Sequence, residues 1–231
     1  MTYIFRFHLL AIFVLATTLT SCSNTDSQTT YSQEVAGQEV SSVEDARIVG
    51  TARAELTVWL NRIPVGQEKT YGFDSRDQFR VASVGKPYQM VTLNADALEK
   101  DGSEWMRPLS LWRVPVLCAG EARALLTVSS TNGRFRVVEI GAATLARSLQ
   151  RKEDSAGKIK EPRFILRSFE LHIDILGLGS VGGAQELLRF APLQEAQASG
   201  LQVNAVQRDD MLSAATMKES LARALSQRRQ P

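Results

Sequence analysis

The chain has 231 residues, 44% hydrophobic and 23% charged, with a formal net charge of +2. That composition is globular, and the length suits one domain of good size or two small ones. The near-balance of charge excludes the strong basic field that argues for nucleic acid, so no nucleic-acid partner is expected.

The first elements are not part of a fold. Residues 1–8 carry the amino terminus and Arg6, and residues 9–19, "LLAIFVLATTL", are an apolar run of eleven. That is the length of an export-signal core and is short for a bilayer span of about 20 residues. After the N-terminus no stretch approaches about 18 consecutive apolar residues. The run ends in Leu19-Thr20-Ser21-Cys22. This quartet resembles the lipobox of bacterial lipoproteins: an aliphatic residue, two small residues and a cysteine. The resemblance covers about the first 25 residues, and it implies a diacylglyceryl group on the Cys22 sulfur and cleavage of 1–21. It also implies a membrane partner reached through that acyl anchor. Ser23, where aspartate would favour the inner membrane in such proteins, implies an outer membrane facing the periplasm if one exists. Each buried CH₂ contributes about 0.8 kcal/mol, so two or three chains hold what one chain holds only reversibly. The competing readings are ordinary secretion with an incidental cysteine and an uncleaved anchor.

Residues 22–42 follow as a polar segment rich in Ser, Thr, Gln and Glu. Such a sequence buries too little to offset its chain entropy, which predicts a flexible tether with a reach of about 25 Å. A globular domain is expected over 43–231. It opens with a helix at 43–63, where Ile48, Ala52, Leu56, Trp59, Leu60 and Ile63 form one stripe, Ser42 with Asp45 caps, and Pro64 and Gly66 stop the helix. A short helix is expected at 75–83. Strands follow at 87–93 and 110–118, and Pro115 in the second points to a sheet edge or a bulge.

Asn132-Gly133 between two β-rich runs predicts a two-residue hairpin turn. That turn pairs Val128 with Val137 and Ser130 with Phe135. It sends Leu126, Val128, Phe135 and Val137 to the core face, and Thr127, Ser129, Arg134 and Arg136 to the other. A helix at 142–153, a loop at 153–161 and a long strand at 163–176 come next. Glycines crowd 177–183, a helix starting near Ala184 meets Pro192, 201–206 reads as a short strand, and a helix closes the chain at 211–227. The whole reads as α+β, an antiparallel sheet packed by N-terminal, central and C-terminal helices.

Several residue groups could carry chemistry. "GLGSVG" (177–182) fits a dinucleotide-binding turn, but Pro192 would break its helix and about 50 residues are too few for the rest of that fold, which favours a glycine loop. Glu170, His172 and Asp174 alternate on the expected long strand and so share a face, where they could bind a metal or move protons. Against this, neighbours two apart on a strand are about 6–7 Å from each other, and a solvated strand face accounts for them. Cleavage would remove His8 and leave His172 as the mature chain's one histidine. Cys118 with His172 is the one available Cys–His pair, but "VPVLCAG" reads as buried strand. Glu139 falls opposite Leu126 on the apolar face, which a bulge, an edge or a pairing arginine would explain. Tyr71, Phe73 and Trp112 stand near turns, as core or as a binding surface.

No catalytic residue, cofactor or metal is assigned from these patterns. The reading is a lipid-anchored envelope protein whose domain binds a protein or small ligand or supports an assembly. The alternative is an envelope hydrolase centred on His172.

Overall fold

A computed structural model describes residues 28–99, 104–156, 161–181, 188–193 and 211–228. The chain divides into two units, Met1–Val40 and Ser41–Pro231. In the first, the described part is the beginning of helix α1 (Gln28–Asn61). The second unit carries the sheet. The helix begins at Gln28 rather than at 43, so Ser42 lies inside it and is not its cap. No proline interrupts the run until Pro64, and Gln, Glu and Ala are compatible with helix.

The expected α+β architecture is present. Among the described residues nine strands form one mostly antiparallel sheet: β1 (Ser83–Val84), β2 (Tyr88–Leu93), β3 (Met106–Cys118), β4 (Glu121–Thr131), β5 (Arg134–Gly141), β6 (Arg163–Ser168), β7 (Ile173–Leu178), β8 (Arg189–Pro192) and β9 (Leu212–Ser213). Their order is β5-β4-β3-β2-β6-β7-β8-β9, with β1 also on β3. The β2–β6 pair is parallel. Helices α2 (Ala95–Glu99), α3 (Ala143–Ala156) and α4 (Ala214–Arg228) complete the described elements, with 3₁₀ turns at Glu68–Tyr71 and Arg76–Val81. Among the described residues no helix is long and apolar enough to cross a membrane.

Alternation along the strands separates two faces. On the first face, Ile48, Ala52, Leu56, Leu60 and Ile63 of α1 pack on Trp112, Val114, Val116, Leu126, Val128 and Val137. The same face of β2, β6 and β7 meets Met217 and Leu221 of α4 through Val91, Phe164, Leu166 and Ile175. On the second face, Leu145, Ala146 and Leu149 of α3 cover Tyr88, Met90, Leu125, Ile165 and Leu176. Burial of such side chains contributes about 1.5–3 kcal/mol each. Phe73 and Trp112 belong to the core under α1, and Tyr71 packs against it, so these aromatics are core rather than a binding surface.

The hairpin forms as expected. Asn132 and Gly133 take φ of 52° and 73°, and Val128 pairs with Val137 and Ser130 with Phe135. Pro115 lies within the sheet, with its carbonyl accepting from the Gly85 amide. It falls where the β2 pairing, last seen at Arg113, gives way to the β1 pairing at Val116. The missing N–H therefore faces a gap in the ladder, next to a bulge at Val116/Leu117.

Two further expectations fail. The long strand at 163–176 is a hairpin, β6 and β7, turning through 169–172. The Ser168 hydroxyl accepts from the Leu171 amide, and His172 adopts a left-handed φ of 55°. Around Pro192 the chain is strand β8, antiparallel to β7, rather than interrupted helix. The expectations for 182–187 and for the strand at 201–206 lie outside the described residues.

Candidate functional site

The second face has a polar end beyond α3, built from two rows of cross-strand neighbours. Thr127 of β4 pairs in register with Arg113 of β3 on one side and Glu139 of β5 on the other. Arg113 Nη1 donates to Thr127 Oγ1 at 2.5 Å and to Glu139 Oε2 at 3.0 Å, and Thr127 Oγ1 donates to Glu139 Oε2 at 2.8 Å. Arg113 is only 8% exposed, and its Nε has no partner. The second row is Arg107 of β3, Thr92 of β2, Arg167 of β6 and Asp174 of β7. Arg167 grips Asp174 through Nε and Nη2 at 2.8 and 2.7 Å, a bidentate pair.

This geometry sets protonation. The Thr127 hydroxyl, and then Arg113, hold the Glu139 carboxyl below its ordinary 4.5, overcoming a partial burial that acts the other way. Hydrogen bonding to Asp174 raises the already high value of Arg167. The Glu139 carboxylate is therefore not poised to exchange protons near neutrality.

Glu139 reaches this face through a bulge. Register shifts between Thr127 and Val128, so Val138 becomes an extra residue and Glu139 pairs with Thr127 instead of Leu126. The expected apolar-face carboxylate is corrected accordingly, by the bulge together with a pairing arginine. The sequence reading missed Arg113 and the clamp from α1. Glu55 Oε1 accepts from the bulge amide of Val137 at 3.4 Å, and Arg47 Nη2 donates to the Gly133 carbonyl at 2.8 Å. The signal for Arg113 was its place among apolar neighbours in "LWRVPVLC", where a guanidinium needs an acidic partner.

The Glu170–His172–Asp174 group does not stand on one strand. Glu170 and His172 are exposed in the β6–β7 turn, whereas Asp174 is in β7 and engaged with Arg167. Cys118 is buried and forms no disulfide among the described residues, with its thiol 3.9 Å from the Gln78 carbonyl. It ends β3 near the start of β2, and His172 follows the far end of β6, so antiparallel and parallel pairings place the two at opposite ends of the sheet. Within the glycine motif, Gly177 is inside β7 against the Phe164 ring, and Gly179 turns the chain at φ 113°. Among the described residues no cluster of His, Cys, Asp and Glu could hold a metal. Cys22 lies outside the described residues.

A third polar group joins α3 to the sheet. Arg163 pairs with Glu153 and stacks 4.8 Å from the Tyr88 ring, while burial pushes the Tyr88 hydroxyl far above its usual range. An open hollow beside the hairpin tip is lined by Thr131, Asn132, Arg134, Phe135 and Arg136. Comparison with protein-family models, curated protein sequences and solved structures finds no match for this chain.

Proposed function

We propose that this chain is a lipid-anchored protein of the bacterial cell envelope, held through acyl chains on Cys22, with an α+β domain that acts as a non-catalytic binding or assembly module. The observation that carries the anchor is the apolar run 9–19 ending in Leu19-Thr20-Ser21-Cys22. Two or three acyl chains would keep the domain at the membrane, on the periplasmic side of an outer membrane where one exists. The binding reading draws its support from the carboxylates of the polar face. Glu139 is pinned as an acceptor between Thr127 and Arg113, and Asp174 is taken up by Arg167, an arrangement that fixes these side chains in a polar framework.

The anchor is tested by replacing Cys22→Ser and fractionating cells. The natural chain should stay with membranes through a high-salt wash and leave them in detergent. The variant should become soluble or keep its signal uncut. A variant processed normally and retained equally well overturns the anchor.

A further inference from the structure

The polar face holds more cation than its own carboxylates use. Beyond α3, among the described residues, it carries five arginines, 107, 113, 134, 136 and 167, against Glu139 and Asp174. Arg113 and Arg167 account for both carboxylates. Arg107, Arg134 and Arg136 are exposed and form no ion pair among the described residues. Arg113 keeps an unpartnered Nε despite being more than nine-tenths buried. Helix α3 packs on Tyr88, Met90, Leu125, Ile165 and Leu176 of this face, and Arg107, Arg134 and Arg136 on the same face remain exposed.

Arg134 and Arg136, with Thr131, line an open hollow beside the hairpin tip. Register shifts at Gln89/Val91, Val116/Leu117 and Thr127/Val128 interrupt the ladder, and such bulges bend a sheet. Half-buried Leu109 and Leu111 lie along β3 between the two rows.

We infer that this arginine face docks an extended, Asp- and Glu-rich polypeptide segment of a partner protein. Carboxylate–guanidinium pairing is the chemistry the face already uses internally, and three more arginines of the same face have no such partner. Alternating side chains of an extended segment fit it well: carboxylates meet Arg107, Arg134 and Arg136, and intervening apolar groups meet Leu109 and Leu111. The inference rests on the domain being a binding module, and its test reads peptide rather than anchor, so either can fail alone.

The full-length protein in zwitterionic detergent is titrated into a fluorescent synthetic peptide of alternating glutamate and valine, followed by anisotropy. Binding should weaken with salt and be absent for the matched glutamine–valine peptide. The triple variant Arg107→Gln/Arg134→Gln/Arg136→Gln should weaken binding by about tenfold or more, with an unchanged urea midpoint showing that it is folded. Arg136→Gln alone should fall between. Equal binding of the triple variant overturns the inference, as does equal binding of the glutamine peptide. So does indifference to the acidic peptide combined with arginine-dependent sedimentation on phosphatidylglycerol vesicles, which would assign the face to lipid.

Discussion

Gly177→Ala distinguishes a packing glycine from a ligand-cradling one. A Cβ at Gly177 would stand 2.1 Å from Phe164 Cζ, 2.2 Å from Cε2 and 2.6 Å from Cε1. Carbon atoms rest about 3.5–4.0 Å apart, so the ring would have to move by roughly 1.5 Å. It has nowhere easy to go. Phe164 is 1% exposed and lies edge-to-face on Phe190 at 5.7 Å, and Phe190 in turn meets Trp105 at 5.7 Å. Overpacking of this kind costs about 1–3 kcal/mol, and the absence of slack puts this site near the upper end. With a urea slope of about 1–3 kcal/mol/M, the midpoint should fall by about 1 M or more. The assay is equilibrium urea unfolding of the natural chain, Gly177→Ala, Phe164→Leu and the double variant. Trimming the ring makes room for the methyl, so the double variant should be more stable than the sum of the singles by about 1 kcal/mol or more. An unchanged midpoint for Gly177→Ala, or strict additivity in the double, would refute the packing argument.

Thr127→Val keeps the shape of the side chain and removes both hydrogen bonds that pass through its hydroxyl, which should cost about 1 kcal/mol near neutral pH. Glu139 has a depressed folded value, so the stability it contributes is present above its ordinary 4.5 and is lost as pH falls through the folded value. The Thr127→Val penalty should therefore shrink in acid, and urea midpoints across that range check it; a pH-independent penalty contradicts the assignment. Cys118 is 3% exposed, so a thiol reagent should label it slowly in the native protein and at once in urea. Rapid native labelling would show that the end of β3 opens.

The parts legible in sequence are those fixed by local chemistry. The α1 stripe follows from helical spacing, and the β4–β5 register follows from two residues that accept positive φ, Asn132 and Gly133. What failed depends on partners distant in the chain. Nothing near Val138 announces a bulge; its unpaired neighbour amide at Val137 is satisfied by Glu55, 82 positions away. The β6–β7 turn contains no glycine, asparagine or proline, so 163–176 reads as one strand. It turns because Leu171 and Ile173 are buried while Phe169 remains 59% exposed, which straight alternation does not produce. Pro192 is tolerated in β8 because that strand is only four residues long and Pro192 is its last residue. Of the candidate site, Glu139 stood out by its position, but its partner Arg113 could be found only once β3 was placed beside β4.

The anchor is tested most directly by mass spectrometry of the N-terminal peptide of the natively purified protein. The account predicts a chain beginning at Cys22 whose mass includes a diacylglyceryl group, with or without a further acyl chain on the new amino terminus. A first residue with an unmodified thiol, or a chain still beginning at Met1, would contradict it.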